Sequence, residues 1–240
     1  MLAIAGVCSC NSICWSKLQQ RLISAPQPKP THLTFSRSYV PTLSRIFILM
    51  DVIKHKEESL FNEFFEVHRS LLQFQRFDGT MSPEVTRYSF TKWDAVGILV
   101  YHITRESYIL VRQMRYPPTH HDIDPWLTEI VAGGISPGEE TEAAASREVI
   151  EEIGYNPLTI ERVMQFYVSP GIMSERITLF YAEVDETSKI NEGGGVPHED
   201  EDIQLIWLPK SQVLEWIAQQ PVGDAKTIAA LLWHMQKVGS

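Results

Sequence analysis

The sequence predicts an α/β sandwich built on a mixed sheet and preceded by a small antiparallel β region. Three observations predict it. Short β-branched and aromatic runs are interleaved irregularly with helical patterns, an order unlike that of a doubly wound parallel sheet. One strongly periodic helix, Glu139–Ile153, is stopped by Gly154 with Pro157 shortly after. Two amphipathic segments close the chain, Ser211–Ala218 and Ala225–Lys237, the second with Ile228, Leu231, Leu232 and Met235 on one face.

Residues 1–50 contain Lys17, Arg21, Lys29, Arg37 and Arg45 and no Asp or Glu. They are expected to be a disordered or dispensable N-terminal extension. Either they form a basic, Ser-rich transit peptide, or they lie upstream of a start at Met50. Residues 51–93 are expected to form the β region. Phe61–Val67 and Leu71–Phe77 read as strands, Asp78-Gly79 as a turn, and Val85–Phe90 as a third strand. Residues 94–240 form the main domain. Ala95–Ile103 and Tyr108–Arg112 read as the arms of a hairpin, and Trp126–Val131 as a strand ending at Gly133-Gly134. Ile160–Val168, Ile177–Val184 and Ile203–Leu208 complete the strands.

The formal charge is −9, and 44% of residues are apolar. With five basic residues in the first 50, the rest of the chain sets 16 of the 21 Lys and Arg against all 30 acids, a net of −14. Such an acidic body excludes nucleic acid as the main partner. It still admits an anionic small molecule, because a bound divalent cation inverts the local field. No apolar run approaches the ~20 residues needed to span a bilayer, which argues against a membrane protein. Cys8, Cys10 and Cys14 all lie in the extension, so the body is cysteine-free and no disulfide framework holds the fold.

The chemistry lies in Gly133–Tyr155, GGISPGEETEAAASREVIEEIGY. At 100° per residue, Glu148, Glu151 and Glu152 share roughly 100° of helix surface, while Val149, Ile150 and Ile153 face away. Like charges at i, i+4 destabilise a helix by about 0.2–0.5 kcal/mol per pair. Three carboxylates with only Arg147 beside them therefore call for a cation, and hard oxygen ligands suit Mg2+ or Mn2+ better than zinc.

The spacing is that of the Nudix box, G-x5-E-x7-R-E-U-x-E-E-x-G-U with U bulky and apolar. Gly133, Glu139, Arg147, Glu148, Val149, Glu151, Glu152 and Gly154 all fill it, and Tyr155 replaces the usual aliphatic residue at its end. The chain is thus identified as a member of the Nudix hydrolases. The likeness extends from about Leu60 to the C-terminus. Trp126–Gly133 (WLTEIVAG), Phe64-Phe65, Asp78–Ser82 and Gln113-Met114-Arg115 resemble the ADP-ribose pyrophosphatases. So do Ser169-Pro170-Gly171, with a proline fifteen residues beyond the box, Ser174-Glu175-Arg176, and the acidic run Glu199–Asp202. Gly193-Gly194-Gly195-Val196 is more similar to the GDP-mannose and UDP-glucose hydrolases of the same family.

The resemblance implies an α/β/α sandwich, Mg2+-dependent hydrolysis of a nucleoside diphosphate sugar, and a cytoplasmic homodimer paired through the strands before residue 93. Glu148 and Glu152 would ligate the metal with the backbone carbonyl of Ala132, and Glu201 would complete a further ion site. Arg147, partly through Glu139, would orient the carboxylates, and Glu151 belongs to the same catalytic set. Glu199 is the candidate general base, with Glu201 in reserve. Arg115 and Arg87 would meet phosphate or ribose oxygens, with Tyr88 and Lys92 nearby. Phe64 or Phe65 would stack on the base, Glu175 would accept from a ribose hydroxyl, and Ser169-Pro170-Gly171 would border the substrate. The plainer alternatives are core aromatics for the Phe pair and surface charges for Arg87 and Lys92. The glycine triplet is expected to act as a hinge for the Glu199 loop. ADP-ribose leads as substrate, ahead of GDP-mannose or UDP-glucose. A non-catalytic ADP-ribose sensor is disfavoured because such modules usually lose the metal glutamates, and all three are present here.

Overall fold

The computed structural model describes residues 31–32, 50–196 and 201–239. The three cysteines, most of the N-terminal extension and Glu199 lie outside the described residues. The chain divides into two compact units. One takes the described residues up to Leu60 together with His68–Tyr88, and the other takes Phe61–Val67 with the chain from Ser89 onward.

The first unit carries most of a four-stranded sheet in the order β1 (Thr31–His32), β2 (Val52–Asn62), β3 (Glu66–Phe74), β4 (Val85–Thr91). Thr31 and His32 pair antiparallel with Lys54 and Ile53, so part of the extension supplies an edge strand. β2 has no apolar alternation. It is carried instead by polar cross-strand contacts such as His55–Gln73 at 2.8 Å and Ser70–Glu57 at 2.8 Å.

The segment Phe61–Val67, expected as one strand, is interrupted. The break at residues 63–65 is closed by the Glu63 N–H donating to the Phe65 carbonyl at 3.2 Å. The aromatic residues that suggested a strand pack as a cluster instead. Phe65 sits 5.2 Å from Phe61 and 5.6 Å from Phe90.

In the second unit the mixed sheet runs β11-β6-β5-β10-β9, with β7 paired to β6 and β8 paired to β5. The strands are β5 (Ala95–His102), β6 (Ser107–Met114), β7 (Trp126–Glu129), β8 (Val131–Gly134), β9 (Thr159–Tyr167), β10 (Arg176–Val184) and β11 (Gln204–Pro209). Only β10 with β5 is parallel. β5, β6 and β10 are apolar on both faces because both faces are covered. Val96, Ile98, Val100, Phe180 and Ala182 pack with Ala144, Ala145, Val149 and Ile153 of α1 (Thr141–Ile153). On the opposite face Leu99, Leu110, Leu179 and Tyr108 pack with Val213 of α2 (Val213–Gln219) and with Ala230 and Leu231 of α3 (Ala225–Gly239). The result is the expected α/β/α sandwich.

The helix starts two residues later than the sequence pattern suggests. Glu139 is spent on the preceding turn, where its carboxylate accepts from the Ser136 N–H at 2.9 Å. α1 ends at Gly154, whose φ of 78° is left-handed and whose N–H returns to the Ile150 carbonyl.

Candidate active site

α1 lays its apolar face on the sheet and turns Glu148 and Glu152 toward β8. Both are buried, with 8% and 1% of their surface exposed. Burial pushes the Glu148 carboxyl up to about 7, against the pull of Arg147. Burial, then the charges of Glu148 and Glu201, push Glu152 well above the ordinary carboxylate range. Its Oε2 has no hydrogen-bond partner among the described residues. Two neighbouring buried carboxylates, one unsatisfied, are a costly arrangement for a protein alone and fit a hard divalent cation. Among the described residues no three His, Cys, Asp or Glu side chains are gathered into a ready cage.

Arg147 does not neutralise the pair. Its guanidinium binds Glu139 through Nε and Nη2 at 3.0 and 3.2 Å, and donates Nη1 to Glu148 and Glu151 at 2.8 Å each. Nη2 also reaches the Gly134 carbonyl at 3.1 Å, so one side chain ties the box loop, the helix and β8 together. Gly133 leaves room for Glu148: a Cβ there would lie 2.0 Å from its Oε1.

The glycine triplet is bonded to the helix end. The N–H groups of Gly194 and Gly195 donate to the carbonyls of Glu152 and Glu151 at 2.9 and 3.1 Å, satisfying acceptors that a helix terminus otherwise leaves free. All three glycines have positive φ, at 68°, 106° and 87°. The Val196 N–H then holds the Glu201 carboxylate at 3.0 Å. The expected hinge is therefore an anchor in this conformation.

A cavity of about 660 Å³ brings together Phe64, Lys92, Arg115, Ala132, Arg147, Glu148, Glu175 and Glu201. Arg115 is fixed by a two-pronged pair with buried Glu129, at 3.1 and 2.9 Å, leaving its side chain 40% exposed. Lys226 also reaches Glu129 at 2.9 Å and Asp224 at 3.0 Å. Burial would raise the Glu129 carboxyl, but the two cations hold it below its ordinary value. Lys92 and Glu175 face each other at 3.8 Å, and the Lys92 ammonium sits 4.8 Å from the Phe64 ring centre.

Other expected site residues are not among those that line this cavity. Phe65 is absorbed by its contacts with Phe61 and Phe90 and does not line the cavity. Arg87 and Tyr88 belong to the N-terminal unit on β4, where the Arg87 side chain donates to the Thr86 carbonyl. Ser169-Pro170-Gly171 forms the turn after β9, with the Ser169 carbonyl accepting from the Ile172 and Met173 N–H groups. Its neighbour Val168 lines the cavity.

Trp93, Asp224 and Lys226 also line it, with Glu129 behind them, and sequence reasoning missed all four. One signal for Lys226 was available. A cation in the first turn of a helix opposes the macrodipole, and such a residue calls for a reason beyond helix stability.

A NUDIX domain family model matches residues 91–231. The chain is 36% identical over 188 residues to the GDP-mannose pyrophosphatase of Cronobacter sakazakii, covering 77% of this chain and 94% of that one. It is 32% identical over 207 residues to the ADP-ribose pyrophosphatase of Escherichia coli strain K12, covering 85% and 93%. A solved structure described as an ADP compounds hydrolase superposes with a TM-score of 0.60 at 17% identity, over 90% of this chain and 97% of that one, a likeness in fold.

Proposed function

This chain belongs to the Nudix family and is a Nudix hydrolase, and from that premise we propose that it cuts the pyrophosphate of ADP-ribose to give AMP and ribose 5-phosphate. The observation that carries the reading is one cavity whose lining brings together the buried Glu148 and the cations Arg115 and Lys226. Acidic side chains that suit a divalent cation, beside cationic ones, suit a diphosphate. The adenine nucleotide is favoured by the relative matched over 85% of the chain and by Pro170 beyond the box. A second reading, GDP-mannose, is supported by the 36% relative and by the Gly193–Val196 run.

In this proposal Glu148 and Glu152 hold Mg2+, or Mn2+ in its place, with the Ala132 carbonyl and Glu201. When bound, the ion neutralises pyrophosphate oxygens and lowers the pKa of water. Arg147 keeps the Glu148 carboxylate in place from its far side, with Glu139 and Glu151 fixing the guanidinium. Arg115 offers its free N–H groups to phosphate or ribose oxygens while Glu129 prevents it from swinging. Lys226 adds a second positive charge. Lys92 and Glu175 would separate on binding, the lysine toward phosphate and the carboxylate toward a ribose hydroxyl. Glu199 takes the proton from the attacking water, and Glu201 is the alternative base. This assignment rests on their place in the acidic run Glu199–Asp202.

A homodimer through the N-terminal strands belongs to the same reading, supported by the exposed Leu60, Phe74 and Phe77. Light scattering at micromolar concentration tests it. A cytoplasmic setting belongs to the same reading. Among the described residues no helix is long and apolar enough to cross a membrane.

The deciding experiment is release of the nucleoside monophosphate from ADP-ribose, GDP-mannose, UDP-glucose and NADH, with Mg2+ and with EDTA. The highest kcat/KM is expected for ADP-ribose with Mg2+. Preference for GDP-mannose would establish the second reading, and turnover of none of them would overturn both.

A further inference from the structure

We propose that Trp93 is the residue on which the substrate's nucleobase stacks, and that it makes the site tolerant of purine identity; this deepens the diphosphate-sugar reading and rests on it. Trp93 is 54% exposed and Phe64 66% exposed, and both line the cavity. Large aromatic faces left in water beside a cavity mark a place where a ligand covers them. The indole is also seated. A Cβ on Gly134 would lie 2.8 Å from its Nε1, so only glycine at that position admits the ring where it stands.

The charged lining of the cavity suits the other parts of the substrate: Glu148 and Glu201 are its acids beside the helix, and Arg115 and Lys226 its cations. Phe64 and Trp93 are aromatic side chains that line it, and their rings adjoin. A nucleoside diphosphate sugar has one flat unsaturated part, and that part is the base. The two rings lie 5.9 Å apart at 82°, so they cannot sandwich a planar group. A base laid flat on the indole meets Phe64 edge-on, a favourable aromatic arrangement. The Lys92 ammonium sits over both rings, 4.8 Å from Phe64 and 5.9 Å from Trp93, and covers electron-rich faces that a base would take over. Stacking reads no pattern of donors and acceptors, because every base has a π face. Adenine and guanine should therefore bind about equally at this residue, and discrimination between substrates must come from the sugar end.

The test is calorimetric binding of AMP, GMP and ribose 5-phosphate to the full chain, with no turnover required. Trp93→Gly is expected to weaken AMP and GMP alike, by about 5- to 100-fold as for the loss of one stacked base, and to leave ribose 5-phosphate unchanged. Trp93→Phe should recover part of the loss. Gly134→Ala, which displaces the indole without removing it, should reproduce the pattern. Unchanged AMP affinity in a folded Trp93→Gly protein would overturn the proposal. So would an equal loss for AMP and ribose 5-phosphate, which would place Trp93 against the sugar or phosphate. A wild-type chain that binds both purine nucleotides but hydrolyses no diphosphate sugar would sink the functional reading and leave the stacking role intact.

Discussion

Gly133 and the carboxylate of Glu148 claim the same volume, since a Cβ on residue 133 would lie 2.0 Å from Oε1 of Glu148. The glycine at the head of the box is therefore the seat of a side chain fifteen residues later. Gly133→Ala should push that carboxylate off its position. A misplacement of about 1 Å commonly costs around 10²-fold in rate, and a loss of that size in kcat/KM is expected with little change in melting temperature. Wild-type activity in the alanine variant would show that the seat is dispensable.

Glu152 is 1% exposed and its Oε2 has no partner among the described residues, so an ionisable carboxyl there is costly to the fold without a metal. Glu152→Gln should melt higher than the wild type in EDTA. Wild-type protein should gain stability from Mg2+, by about 2.7 kcal/mol at a hundred times its dissociation constant, and the variant should lose most of that gain along with its activity. An undiminished Mg2+ shift in Glu152→Gln would remove this residue from the metal site.

Glu129 serves two cations, Arg115 and Lys226. Removing one partner of a buried pair costs about 3–5 kcal/mol. Because Arg115 is 40% exposed, Glu129→Gln is expected to cost less, about 2–3 kcal/mol. KM should rise more than kcat falls, because an unfixed Arg115 weakens substrate binding. Denaturant titration and steady-state kinetics separate the two effects, and a variant altered only in stability would argue that Arg115 does not touch substrate.

Glu199 and Glu201 are assigned different tasks, and metal rescue distinguishes them. Glu199→Gln should lower kcat by about 10²–10⁴-fold, lose the acidic limb of the pH–rate profile, and resist rescue by excess Mg2+. Glu201→Gln should raise the Mg2+ concentration that gives half-maximal rate. The reverse pattern would exchange the two roles.

A chain beginning at Met50 should fold and retain hydrolysis, at a modest stability cost from losing the Thr31–His32 strand on β2. Failure to fold would make the extension part of the domain.

The helix that carries the chemistry was legible because its signal is local: fixed spacings within one α-helix and its preceding turn. The α/β sandwich was legible from the irregular order of strands and helices, and its α/β/α layering from the family resemblance that the helix motif carries. β2 was not, since VIKHKEESLFN alternates charge with charge and owes its strand to partners elsewhere in the chain. The hairpin tip at residues 63–65 was misread because aromatic residues favour strands and clusters alike. Lys226 was invisible beside Glu129 because 97 residues separate them, and only the packing of α3 against the sheet closes that distance.

The amides of Gly194 and Gly195 close the last turn of α1, and the next residue, Val196, grips Glu201. Helix termination and loop placement are thus one set of bonds. A lineage cannot refine the stability of that helix end without also retuning the acidic loop. Substitutions at residues 193–196 should consequently be accepted or rejected together with changes in Glu151, Glu152 and Glu201, as a single inherited block.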